Sequence, residues 1–210
     1  MMKIVLLADK EQKEELMAQR HDMPAELIWL REPDLTGIMT GADVCIDLLF
    51  DNTEERTKKL NQFQAAFIII NSATKSLAEP GFNAVRINGW NTFLKRPIIE
   101  AAGDDGLKKK AGEVFSFFNK TPEWTPDVTG FISLRVVVSI INEAFFALEQ
   151  GVSTKEEIDT AMKLGTNYPY GPFEWSEKIG LKNIYLLLSC LAKEQERYEP
   201  AALLAKEATV

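Results

Sequence analysis

The chain has 210 residues, 46% of them apolar and 26% charged, with a formal net charge of −7. This is enough material for one large or two small globular domains. The acidic balance excludes nucleic acid and anionic membrane surfaces as main partners, since both demand clustered Lys and Arg. His21 is the single histidine, and Cys45 and Cys190 are the two cysteines. A zinc site therefore lacks its usual ligands. Both cysteines lie in or beside apolar runs and read as small buried hydrophobes of a reducing compartment, not paired with each other. The apolar run after Met1-Met2-Lys3 is too short for a signal peptide, and no stretch approaches the length of a membrane span. The cytoplasm is the expected location.

The first half alternates strands and helices. Lys3 to Ala8 is a continuous apolar run, as in a buried parallel strand. Asp9 to Arg20 reads as an amphipathic helix with Asp9 at its N-cap and Leu16 and Met17 as its apolar contacts. Glu26 to Leu30 is a second strand and Asp43 to Phe50 a third. Thr53 to Phe63 is a helix, and Ala66 to Ile70 a fourth strand. Ala84 to Ile87 and Ile98 to Ala101 are weaker strands. Asp105 to Asn119 is a helix, with Leu107, Ala111, Val114, Phe115 and Phe118 at helical spacing. Such alternation implies a parallel sheet covered on both faces.

After Pro126 the pattern is helical throughout. Ile132 to Gln150 is apolar nearly all round, which predicts burial in a core or a subunit interface, and Gly151 closes it. Ser153 with Glu156, or Thr154 with Glu157, opens the next helix as a capping box. That helix is expected to end near Gly165. Tyr168 to Pro172 is a stiff turn. Short helices follow over Phe173 to Ile179, Asn183 to Glu194 and Pro200 to Ala208. Gly165, Gly171 and Gly180 stand where helices stop and φ can turn positive. Asp159 lies inside a helix among apolar neighbours, so its carboxylate is expected to bond a nearby backbone group. The domain boundary is placed near Thr121–Val128, giving domains 1–125 and 126–210.

Gly130-Phe131-Ile132, Asn142-Glu143-Ala144, the run from Glu157 to Gly165, Tyr168-Pro169-Tyr170-Gly171-Pro172-Phe173-Glu174 and Ile179-Gly180-Leu181 occur in this order. In order and spacing they closely resemble the C-terminal domain of the 3-hydroxyacyl-CoA dehydrogenase family. The resemblance continues upstream in weaker form. It covers Gly41 to Asp47, the charged helix around Glu54 to Lys59, the strand and loop from Ile70 to Leu77, and Asn88 to Glu100. It implies a shortened, degenerate α/β Rossmann-like N-terminal domain followed by an all-α C-terminal domain. It also implies a cleft for an acyl-CoA-like ligand and a homodimer formed through the helical domain.

The family reaction passes a hydride from the 3-hydroxyl carbon of an acyl-CoA to NAD while a histidine, held by a glutamate, takes the hydroxyl proton. At the histidine position this chain carries Asn88, whose amide accepts no proton near neutral pH. Glu100 falls at the glutamate position. The serine position falls on Lys75, between Thr74 and Ser76. The orienting asparagine position becomes Leu134. Glu100, Asn88, Lys75 and Ser76 are the candidate catalytic residues. His21, in a loop before the second strand, reads as a surface histidine.

Dinucleotide binding on this fold uses glycines after the first strand, so that bare backbone can approach the pyrophosphate at a helix N-terminus. Here that turn reads Ala8-Asp9-Lys10-Glu11-Gln12, with carboxylates and no glycine. Glu32 after the second strand mimics a ribose-binding carboxylate, but Arg31 and Pro33 beside it fit a solvated loop equally well. The segment between Leu30 and Asp43 is too short for the family's helical arm, and the family's Gly-rich tail does not follow. The expected cofactor list is therefore empty. The main reading is a divergent family member without NAD-linked hydride transfer, a pseudoenzyme binding an acyl-CoA-like ligand or serving as a non-catalytic partner. The alternative is an active, NAD-dependent 3-hydroxybutyryl-CoA dehydrogenase of fatty-acid metabolism with a rebuilt site, using Glu100 or Lys75 as base. A third reading is a hydratase or hydrolase in the same cleft.

Overall fold

A computed structural model describes residues 1–20, 24–31, 41–62, 67–77 and 84–209. His21, Glu32 and Pro33, and the ends of two expected elements at Phe63 and Ala66, lie outside the described residues. Two compact units are formed, Met1–Phe131 and Ile132–Val210. The first contains β1 (Met2–Leu7), α1 (Lys10–Met17), β2 (Ala25–Leu30), β3 (Val44–Asp47), α2 (Glu54–Gln62), β4 (Ile68–Asn71), β5 (Val85–Ile87), β6 (Ile98–Ala102), α3 (Asp105–Phe117) and β7 (Thr121–Trp124). The second contains α4 (Ile132–Glu149), α5 (Lys155–Thr166), α6 (Pro172–Ile179), α7 (Leu181–Ala192) and α8 (Ala202–Ala208), with a 3₁₀ turn at Glu196–Tyr198.

The first unit is a Rossmann-like sheet in the order β2-β1-β3-β4-β5-β6-β7. All neighbouring pairs are parallel except β5 with β6. Successive side chains of a strand point to opposite faces. In β1, Ile4 and Leu6 join Val114, Phe115 and Phe118 in one core, while Val5 and Leu7 join Cys45, Leu60 and Ile70 in another. Burial on both faces is why the strands read as unbroken apolar runs. The chain steps to opposite sides of β1 to form β2 and β3, so the sheet order reverses there. The carboxyl ends of strands at such a reversal frame a crevice.

Strand β7 was not anticipated, because Pro122 marks its sequence as a linker. As the outermost strand β7 needs fewer backbone donors, and an edge tolerates proline. The segment after it also belongs with the sheet, which moves the division of the chain from 125/126 to 131/132. Arg86 of β5 is fully buried; its guanidinium donates to Asp127 Oδ1 at 2.5 Å and to Ser72 O at 3.0 Å, and stacks over Phe131. Gly130 N donates to Ala73 O at 2.8 Å.

In the helical unit the quoted motifs turn out to be joints. Asn142, buried on α4, donates from Nδ2 to Glu199 O and accepts from Ala201 N, both at 2.8 Å, and so fixes the approach to α8. Asp159 on α5 accepts from Phe173 N at 2.8 Å and Glu174 N at 3.1 Å, and so caps α6, as its buried position suggested. Thr154 and Glu157 form the capping box of α5. Two expectations change. Helix α5 ends at Thr166, near Gly165 as expected, but Asn167 rather than that glycine takes the left-handed conformation, which an asparagine tolerates. Gly171 has a negative φ, and its need for glycine is steric: a Cβ there would lie 2.3 Å from the Asp159 carboxylate. On helix α4, Ile132 and Val136, one turn apart, are 60% and 53% exposed in the single chain. Cys190 is half-buried, and both cysteines are free thiols.

Candidate active site

The carboxyl ends of β1, β3, β4 and β5 lie side by side, and the polar residues that follow them form one network. Strand β5 stops at Ile87 and β6 returns antiparallel, which sets Asn88 opposite Glu100. The Asn88 backbone N–H donates to Glu100 O at 3.1 Å, and its side-chain Nδ2 donates to Glu100 Oε2 at 3.1 Å. Asn88 Oδ1 faces the Trp90 N–H at 3.4 Å. Asn88 is buried and Glu100 half-buried. The residues at the family's histidine and glutamate positions are thus in direct contact.

Lys75 and Ser76 lie on the loop after β4. Asn71 of β4 pairs with Ile87 of β5, so this loop leaves the same sheet edge as Asn88. It is shaped by Ser72 Oγ donating to Lys75 O at 2.9 Å and by Leu77 N donating to Asp127 Oδ2 at 2.9 Å. Both residues are half-buried. Leu134, on α4 of the other unit, is fully buried.

Three residues outside the candidate catalytic set organise this edge. Asn71 donates from Nδ2 to Leu48 O at 3.2 Å and accepts from Gly89 N at 3.0 Å. It lies so close to Gly89 that a Cβ there would be 2.8 Å from the Asn71 Cβ, so only glycine fits. Gln12, buried on α1, donates from Nε2 to both Leu48 O and Gly89 O at 3.1 Å. Glu15 accepts the Thr92 N–H on both carboxylate oxygens at 2.8 Å. The Asp9-x-x-Gln12 spacing signals a capping box, but nothing local signals that Gln12 reaches Gly89. Nearby, buried Asp47 at the end of β3 is paired with Arg56 of α2 at 2.7 Å. Burial pushes the Cys45 thiol far above its ordinary range, so it offers no thiolate nucleophile.

A dinucleotide pyrophosphate needs unpaired N–H groups at the start of α1. Asp9 Oδ1 takes the Gln12 N–H at 2.8 Å, and Gln12 Oε1 takes the Asp9 N–H at 3.2 Å. Trp29 Nε1 donates to Ala8 O at 2.9 Å. The Gln12 amide then spans the reversal point to Leu48 and Gly89. A carboxylate and an amide of the chain itself occupy the turn, and the residues present do not fit the pyrophosphate of NAD. Among the described residues no group of three or more His, Cys, Asp or Glu side chains is placed to hold a metal ion. No helix there is long and apolar enough to cross a membrane.

A reversed-order sheet with a polar pair at its carboxyl edge, followed by a helical unit, is a two-domain Rossmann-like architecture. Residues 130–208 match the family described as "3-hydroxyacyl-CoA dehydrogenase, C-terminal domain". The 3-hydroxyadipyl-CoA dehydrogenase of Escherichia coli (strain K12) is 41% identical over 110 residues, 51% of this chain and 23% of that protein. The 3-hydroxybutyryl-CoA dehydrogenase of Bradyrhizobium diazoefficiens is 35% identical over 185 residues, 80% of this chain and 63% of that protein. The chain thus spans less than two thirds of either relative. The structure of (S)-3-hydroxybutyryl-CoA dehydrogenase PaaH1 from Ralstonia eutropha superposes with a TM-score of 0.75 at 18% identity, covering 99% of this chain and 93% of that one. The chain belongs to the 3-hydroxyacyl-CoA dehydrogenase family. The reading of it as a member that has lost hydride transfer is overturned, because the relatives it aligns with are named as dehydrogenases. The missing histidine and glycines are local departures, while the likeness to the relatives runs along both halves of the chain.

Proposed function

We propose that the chain is a 3-hydroxyacyl-CoA dehydrogenase with a rebuilt site, acting on a short 3-hydroxyacyl-CoA such as the 3-hydroxybutyryl ester, with Glu100 as the base. The observation that carries this is the Asn88–Glu100 hydrogen bond at the carboxyl edge of the sheet, at 3.1 Å. It sets a proton acceptor beside an amide that orients it, which is the division of labour that removing a hydroxyl proton requires. Oxidation at C3 breaks the O–H bond. The hydroxyl proton would pass to a Glu100 carboxylate oxygen as the C3–O bond becomes a carbonyl, and the C3 hydride would be taken by a bound nicotinamide. Asn88 Nδ2 holds the carboxylate in place. A nicotinamide acceptor belongs to this proposal, yet the first turn of α1 as folded does not fit its pyrophosphate, so only the proton half is assigned to residues. The exposed Ile132 and Val136 on α4 support a homodimer through the helical unit.

The test is NADH consumption at 340 nm with acetoacetyl-CoA. The wild-type chain is expected to turn over, and Glu100→Gln, which keeps the shape but accepts no proton, to lose about 100-fold or more in kcat. An inactive wild-type chain, or a fully active Glu100→Gln variant, refutes the proposal.

A further inference from the structure

One side of α1 carries Glu11, Gln12 and Glu15, and all three end on the loop that follows Asn88. Glu11 Oε2 accepts from Asn91 Nδ2 at 3.0 Å, Gln12 Nε2 donates to Gly89 O at 3.1 Å, and Glu15 accepts the Thr92 N–H at 2.8 Å. The loop is held against its own preferences. Thr92 has φ +77°, a left-handed conformation that a β-branched residue rarely adopts. Its buried hydroxyl finds no partner among the described residues. At the far end of the loop the buried Lys120 ammonium donates to Arg96 O at 2.8 Å. Strain of this kind persists only where the surroundings over-determine it, and it collects at functional sites.

We propose that α1 is a clamp for the candidate active site. Glu15 is a positioning residue that holds the Asn88–Thr92 loop and thereby fixes the Asn88 amide against Glu100. The helix whose first turn would otherwise receive a phosphate is engaged, through Gln12 and Glu15, in shaping the site. The inference rests on the reading of Asn88 and Glu100 as the reacting pair.

Glu15→Ala and Glu15→Gln in the full chain test it, by hydrogen exchange over residues 88–93, by the Asn88 side-chain amide resonance, and by steady-state kinetics with acetoacetyl-CoA and NADH. Glu15→Ala is expected to speed exchange at Thr92 by about ten-fold or more. It is also expected to lower kcat about ten-fold while KM for acetoacetyl-CoA stays within about two-fold. Glu15→Gln, which keeps an acceptor, recovers most of both. Unchanged exchange at Thr92, or a loosened loop with unchanged kcat, overturns the clamp. If Glu15→Ala does not fold, Gln12→Ala is held to the same outcomes. If the wild-type chain consumes no NADH, the dehydrogenase reading falls by itself. Exchange at Thr92 and a shifted Asn88 resonance then decide the clamp.

Discussion

At position 100 a carboxylate meets an amide, and at position 15 a second carboxylate meets a backbone N–H; their surroundings give them different tasks. Glu15 is half-buried, and burial raises its carboxyl above the ordinary value, against the lowering effects of the Thr92 N–H and of Lys95. Glu11 adds to the rise, and the buried Lys120, itself lowered chiefly by burial, also faces it. A raised folded-state value means that the folded chain binds this proton more tightly than the unfolded chain does. The group's contribution to stability is therefore full below the unfolded value and is lost as pH rises through the folded one. Glu15→Gln is neutral throughout. Its melting temperature relative to wild type is expected to climb as pH goes from about 4 to about 8. A difference that stays flat across that range, measured by scanning calorimetry, contradicts this account of Glu15.

At the scale of the element, helix ends carry much of the specification. Gly171 lets the chain pass against Asp159, which then takes two of the N–H groups that α6 leaves open. Glu174 accepts from Gly171 N at 3.0 Å and pairs with Lys163, which lowers its carboxyl pKa, so α5 and the start of α6 are locked from both sides. Replacing Asp159 by alanine leaves two N–H groups without their acceptor in a buried place. The expected loss is about 1–3 kcal/mol in urea unfolding. A loss below about 0.5 kcal/mol, the range of an ordinary surface change, argues that the joint is not structural. Helix α1 follows the same logic with another outcome, since its capping box closes the turn that the fold commonly leaves open for phosphate.

For the molecule as a whole, two compact units carry separate tasks. The sheet unit holds the candidate pair, and the helical unit carries the motif by which the family is known. On α4 the buried face packs within its own unit, while Ile132 and Val136 leave an apolar stripe in solvent. The homodimer proposal has a second copy of the chain cover this stripe. Val136→Asp is expected to shift the chain from dimer to monomer in sedimentation velocity without lowering its helix content. A monomeric wild-type chain removes the dimer from the account.

The chain by itself determined whatever is encoded over a few neighbouring residues. The alternation of strands and helices, the caps at Asp9 and Thr154, the closure at Gly151 and Gly180 and the family motif from Gly130 to Leu181 were all legible, whereas Asn88 and Glu100 were marked only by the family resemblance. The legible features depend on local periodicity or turn chemistry. Strand β7 was hidden by Pro122, whose acceptability depends on being at an edge. The bridge from Gln12 to Leu48 and Gly89, the tie from Arg86 to Asp127 and the clamp from Glu15 to Thr92 join residues far apart in the chain. Tertiary structure alone decided these. Sequence records which polar groups exist, but sheet order decides which of them are brought within 3 Å of each other and buried together, where leaving one unpaired is costly.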